Sequence, residues 1–73
     1  MTRYLVVDDM KKQEFEKEYQ LPYGCWNALI YNDVNVAIQF LKHMTAYKRV
    51  CYNIERWENG SFVEVVITGR ELV

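Results

Sequence analysis

Residues 46–69, AYKRVCYNIERWENGSFVEVVITG, read as one long β-hairpin, and the rest of the chain is placed around it. Asn59-Gly60 sits between two runs rich in Val, Ile, Tyr, Phe and Trp. A two-residue type I′ turn needs positive φ at both central positions, which Asn and Gly tolerate best. That turn pairs Glu58 with Ser61, Trp57 with Phe62, Arg56 with Val63, Glu55 with Glu64, Ile54 with Val65, Asn53 with Val66 and Tyr52 with Ile67. Alternation sorts the pairs onto two faces. One face, with Val50, Tyr52, Ile54, Val63, Val65 and Ile67, is the expected core. The other, with Arg49, Cys51, Asn53, Glu55, Trp57, Phe62, Glu64 and Val66, is half polar and expected to be wet.

Two features of the wet face stand out. Glu55 opposite Glu64 is a like-charge cross-strand pair, which is mildly destabilising unless Arg49 or Arg56 relieves it. Trp57 opposite Phe62 puts two large aromatics beside the turn. Either they clamp the hairpin as a cross-strand pair, or they form a contact surface of the kind enriched at binding hot spots. A cation bridging the two glutamates is discounted, because two carboxylates make a poor site.

The chain has 73 residues, 51% hydrophobic and 15% aromatic, which bounds it to a single domain spanning 1–73. Below roughly 70–80 residues one core rarely supplies more than ~3–5 kcal/mol, so bulky aromatics or oligomerisation must compensate. Nine Lys plus Arg against ten Asp plus Glu give a net charge of −1. That is neither the basic footprint of a phosphate-backbone binder nor the strong acidity of a nucleic-acid mimic. Cys25 and Cys51 make no disulfide framework and no zinc pattern. Without a leader-like segment or a long apolar run, a reducing cytoplasm is the expected location, with no membrane. The chain reads as a complete small open reading frame.

In order, residues 3–7 (RYLVV) form a buried strand. Asp8-Asp9 cap a charged helix over 10–20, whose clearest apolar pair is Phe15 and Tyr19; Pro22 and Gly24 end it. Residues 25–31 (CWNALIY) are apolar on both faces and read as a central strand. Asn32-Asp33 cap a helix over 34–44 with Val34, Ala37, Ile38, Leu41 and Thr45 on one stripe and Val36, Phe40 and Met44 on its flank. The apolar arc spans roughly 200°, wider than a surface helix needs. Either the helix is sandwiched between sheet and first helix, or Val36 and Phe40 face another chain, most simply a second copy. The tail 69–73 extends strand four or crosses to a neighbour. The expected fold class is α+β, in the order β-α-β-α-β-β, with a C-terminal hairpin and two helices packed on the sheet. Right-handed crossovers would make the first three strands parallel; a split α+β arrangement is the alternative.

Tyr4–Asp9 (YLVVDD) followed by a helix resembles the opening of a response-regulator receiver domain, where paired acids help hold Mg²⁺. Residues 28–41 (ALIYNDVNVAIQFL) are similar to that family's second strand and helix. The resemblance implies a phospho-accepting Asp on strand three, but no Asp follows Asp33. Phosphotransfer is therefore not supported. Parallel neighbours would still gather Asp8, Asp9, Asn32 and Asp33 at one sheet end, where ligands bind in parallel α/β folds, although such residues are mostly helix caps.

Catalytic chemistry is missing from the pattern. His43, the single histidine, falls on the polar side of the second helix with no nucleophile beside it. Gly24, Gly60 and Gly69 are scattered at turns and form no phosphate loop. A water-excluding pocket is not expected at this size. No catalytic residue, metal or cofactor is expected. Small, aromatic-rich proteins of this type look like the host-modulating inhibitors that phages and mobile elements encode. The expected function is thus a non-catalytic module that binds and occludes a larger protein through Trp57, Phe62, Glu55 and Glu64, with Val36 and Phe40 as the homodimer seam. The alternative is single-stranded nucleic-acid binding by a basic-aromatic patch of Lys42, Tyr47, Lys48, Arg49 and Arg56 on the hairpin.

Overall fold

A computed structural model describes residues 1–19 and 29–72. The expected helix breakers at 21–24 and the first half of the expected second strand, 25–28, lie outside the described residues. So do the side chains of Phe15 and Tyr19. The described elements are β1 (Thr2–Asp8), α1 (Asp9–Tyr19), β2 (Leu29–Tyr31), α2 (Val34–Lys42), α3 (Ala46–Arg49), β3 (Tyr52–Glu58), β4 (Ser61–Thr68) and a closing 3₁₀ turn (Gly69–Leu72).

The strands form one sheet in the order β2-β1-β3-β4, antiparallel throughout. The domain is α+β, as its composition and patterning predict. The expected parallel run of β1, β2 and β3 does not occur. Instead β2 and β3 both oppose β1, which lies between them, so the split arrangement is the one adopted. An all-antiparallel sheet also removes the receiver-domain likeness, which requires parallel strands.

The central strand is β1. Its residues pair with β2 through Tyr4, Leu5 and Val6 and with β3 along Thr2–Asp8. Burial on both faces explains the unbroken apolar run: Leu5, Val6 and Val7 are all fully buried. β2, expected to be central, lies at the edge among the described strands, and in its described part, Leu29–Tyr31, Leu29 and Ile30 are exposed.

Side-chain alternation along β1 divides the core between the two faces. On one face Val6 and Ile54 pack with Ala37 and Leu41 of α2, ringed by Tyr4, Tyr31, Ile38, Met44, Tyr52, Val66, Ile67 and Leu72. On the other, Leu5 and Val7 pack with Trp57, and Lys12 of α1 reaches Glu55 and Phe62. The helices therefore lie on opposite faces. Helix α2 is not sandwiched between sheet and α1, which is why Val36 and Phe40 remain exposed at 49% and 37%. A fully buried Leu side chain contributes about 1.5–3 kcal/mol, so Leu41, packed with Ala37 against Val6 and Ile54, is the main link of that helix to the sheet.

Capping follows the sequence closely. Asp8 Oδ1 accepts from Lys11 N at 3.1 Å at the start of α1. Asp33 Oδ1 accepts from Asn35 N at 2.8 Å at the start of α2. These bonds satisfy backbone donors that a helix start leaves free. Residues 46–49, expected to open the hairpin, are helical instead. Thr45 caps them through its side chain, and Arg49 N donates to Thr45 O at 2.8 Å. Val50 closes this turn rather than entering the core, and it is exposed. The described part of the tail does not extend β4: Gly69–Leu72 forms a 3₁₀ turn, with Leu72 against the α2-side core.

Candidate functional site

The turn forms as predicted. Asn59 and Gly60 hold φ of 51° and 82°, and Glu58 pairs with Ser61 and Trp57 with Phe62. Beyond these pairs the expected register fails. Arg56 pairs with Glu64, Glu55 with Val65, and Ile54 with Ile67. Val63 and Val66 are the extra residues of two β-bulges, each shifting β4 by one place. The first bulge has an electrostatic consequence. It moves Glu64 from a position opposite Glu55 to one opposite Arg56, where Arg56 Nη2 lies 2.6 Å from Glu64 Oε2. A like-charge pair is replaced by an ion pair. Arg56 also holds Glu58 at 3.1 Å. The hydrogen bond to Glu64 raises the Arg56 pKa above its ordinary value. That contribution is fully present below the unfolded-state value and is lost only as pH rises through the raised one, so it produces no pH dependence near neutrality.

The bulges also undo the expected faces. Val63 and Val65, assigned to the core, are exposed, while Val66 packs against the α2-side core. Glu55, assigned to a wet face, is 2% exposed. Both its oxygens are engaged: Oε2 with Lys12 Nζ at 2.5 Å and Oε1 with Trp57 Nε1–H at 3.0 Å. A buried carboxylate is tolerable only when paired and hydrogen-bonded in this way.

Trp57 and Phe62 meet edge to face, with centroids 6.1 Å apart, a favoured aromatic geometry. Lys12 Nζ stands 5.3 Å from the Phe62 centroid, within cation–π range. Glu55, Lys12, Trp57 and Phe62 thus form one connected cluster between α1 and the hairpin. Trp57 is half-buried on the Leu5–Val7 cluster; Phe62 is 49% exposed. Lys12 was invisible to sequence reasoning, because its partner is 43 positions away and nothing local distinguishes it from Lys11 or Lys17.

The N-terminus is tied to the same tip. The Met1 ammonium donates to Asn59 Oδ1 at 2.5 Å and Met1 O accepts from Asn59 N at 3.1 Å. An open hollow of about 500 Å³, lined in part by Arg3, Leu5, Ile30 and Trp57, lies beside it.

The remaining candidates are scattered. Val36 and Phe40 sit on the outer flank of α2, with Phe40 6.0 Å from the Tyr31 ring. Lys42, Tyr47 and Lys48 are exposed around α2 and α3, whereas Arg56 is occupied by Glu58 and Glu64 on the sheet. The expected basic-aromatic patch is therefore split, and its larger part is not on the hairpin. Asp8 ends β1, whereas Asn32 and Asp33 follow β2, whose antiparallel pairing carries them to the other end of the sheet. The conjectured ligand cluster is not assembled. Among the described residues no group of three His, Cys, Asp or Glu is placed to hold a metal ion, and no helix is long and apolar enough to cross a membrane.

No protein family, curated protein or solved structure matches the chain.

Proposed function

We propose that this chain is a non-catalytic module that binds a larger protein through its β3–β4 hairpin and occludes part of it, in the manner of a phage- or mobile-element-type modulator. The observation that carries the reading is the presentation of Phe62, Val63 and Val65. All three are exposed on β4, which among the described strands has a neighbour on one side only. Strand edges of this kind accept an extended partner segment through backbone hydrogen bonds, with side chains supplying specificity. Trp57 supports Phe62 from the inner side, and Glu55 holds Trp57 through its Nε1–H. Glu55 thus acts by positioning, and Glu64 with Arg56 makes the polar rim.

The test is capture of a cellular protein by immobilised wild type, compared with Phe62→Ser/Val65→Ser at matched melting temperature. A single protein retained by wild type and lost by the variant supports the reading. Equal capture by both, or none, removes the hairpin as a recognition surface. Trp57→Ala is unsuitable, because Trp57 contributes to the Leu5–Val7 cluster. Val36 and Phe40 supply the second contact, a seam with another copy; light scattering at high concentration gives twice the monomer mass if so and the monomer mass if not.

A further inference from the structure

From Val34 to Ile54 the chain carries no Asp or Glu, yet Lys42, His43, Lys48 and Arg49 all fall there. The fold gathers them at one corner, where the last turn of α2 meets α3. His43 closes α2, and Thr45 opens α3 two residues later. Lys42, His43 and Lys48 are exposed. None of the corner's lysines or its arginine takes part in the ion pairs among the described residues, which are Lys12–Glu55, Arg56–Glu58 and Arg56–Glu64. Arg49 Nε is buried without a hydrogen-bond partner. Tyr47 projects from the middle of this corner with 88% of its surface exposed.

The corner continues into the tail. Val50 and Cys51, directly after α3, line a cleft of about 340 Å³ with Asn53, Thr68 and Arg70. Asp9 is the carboxylate of that cleft, and its Oδ2 accepts from Gln13 Nε2 at 3.3 Å. Arg70, exposed, thus shares with Asp9 the cleft that begins where α3 ends.

We infer that the α2–α3 corner is a binding surface for single-stranded nucleic acid, with Tyr47 as the stacking platform and Lys42, Lys48 and Arg70 as phosphate contacts. Cations near a helix C-terminus are explained by the helix dipole alone. The dipole does not explain an aromatic ring left almost wholly in water among them. A bare ring flanked by unpaired cations matches a strand whose bases stack while its phosphates pair. An acidic peptide would use the lysines and leave the ring idle. The surface reaches only the base of the hairpin, at Asn53 and Thr68, and not its exposed Phe62–Val65 segment, so it operates whether or not that segment binds a protein.

The test is fluorescence anisotropy with a labelled thymidine oligonucleotide of about 12 nucleotides, within the usual span of such sites, titrated between roughly 50 and 200 mM salt. Tyr47→Ala should weaken binding by roughly 5- to 140-fold, the loss of one base stack, while Tyr47→Phe binds as wild type. Lys42→Gln and Lys48→Gln should each make the salt slope shallower by about 0.7. Phe62→Ser should bind like wild type, which separates this surface from the hairpin. All these side chains are exposed, and circular dichroism checks that the variants fold. No binding at the lowest salt overturns the inference. So does binding that ignores Tyr47→Ala, or that polyglutamate matches in affinity and lysine dependence, since the corner would then be a general anion patch.

Discussion

Trp57 Nε1 donates a 3.0 Å hydrogen bond to Oε1 of Glu55, two residues back on the same face of β3. The bond joins the best-buried acid among the described residues to the ring that supports the hairpin tip, and Lys12 closes the arrangement from α1. An apparently solvent-facing glutamate is thereby the fastening between a surface helix and the sheet.

The two ends of the Lys12–Glu55 pair are not equivalent, because the Lys12 side chain keeps 24% exposure and Glu55 only 3%. Removing the lysine strands a buried carboxylate, whereas removing the carboxylate leaves an ammonium that can reach water. Lys12→Met is expected to cost about 2–4 kcal/mol. Glu55→Gln, whose amide oxygen still accepts from Trp57, is expected to cost about 1–2 kcal/mol. Urea unfolding followed by circular dichroism decides it; the reverse order would show that Glu55 is effectively solvated.

At the turn, Gly60 has φ of 82° and open space where a Cβ would stand. The cost of Gly60→Ala is therefore conformational, about 1–2 kcal/mol, and Gly60→Asn should recover most of it because Asn tolerates this region. Thermal melts of the two variants provide the comparison. Equal melting temperatures would mean that the turn is not held in this conformation.

Gly69 is required for a different reason. A Cβ there would lie 1.7 Å from the Arg49 carbonyl oxygen and 2.9 Å from that of Tyr52. Both obstacles are backbone, so neither can swing aside. Gly69→Ala is expected to cost at least about 2 kcal/mol and to loosen the tail. Hydrogen exchange at the Thr68 amide, which donates to Glu71 at 3.3 Å, should accelerate; unchanged exchange would place the tail elsewhere in solution.

On α2, adjacent positions separate core from surface. Leu41 has no accessible surface, while Phe40 is 37% exposed. Leu41→Ala is expected to cost about 2–5 kcal/mol at any protein concentration. Phe40→Ala should be milder at low concentration. If Phe40 lies at a seam between copies, its cost grows as wild type is concentrated, because dimerisation stabilises by mass action. A concentration-independent difference would confine Phe40 to the monomer.

Local rules carried much of the fold. Asn59-Gly60 specified the turn and its first two pairs, Asp33 the start of α2, the run RYLVV a strand buried on both faces, and the 37/41 stripe the inner side of α2. Each depends on backbone preference or periodicity within a few residues, which the sequence alone determines. What it left open was decided at longer range. Strand direction was decided by the pairing of β2 and β3 on either side of β1. The bulges at Val63 and Val66 depend on partners across the sheet: a regular register sets Glu55 against Glu64, whereas the shifted one sets Glu64 against Arg56 and leaves Val66 and Ile67 both packed on the core. The burial of Glu55 depended on Lys12, far away in sequence, arriving to neutralise it. Pairing energies of this kind exist only once distant segments meet, so the tertiary structure alone decided which face of the hairpin is wet and which side chains remain free to bind.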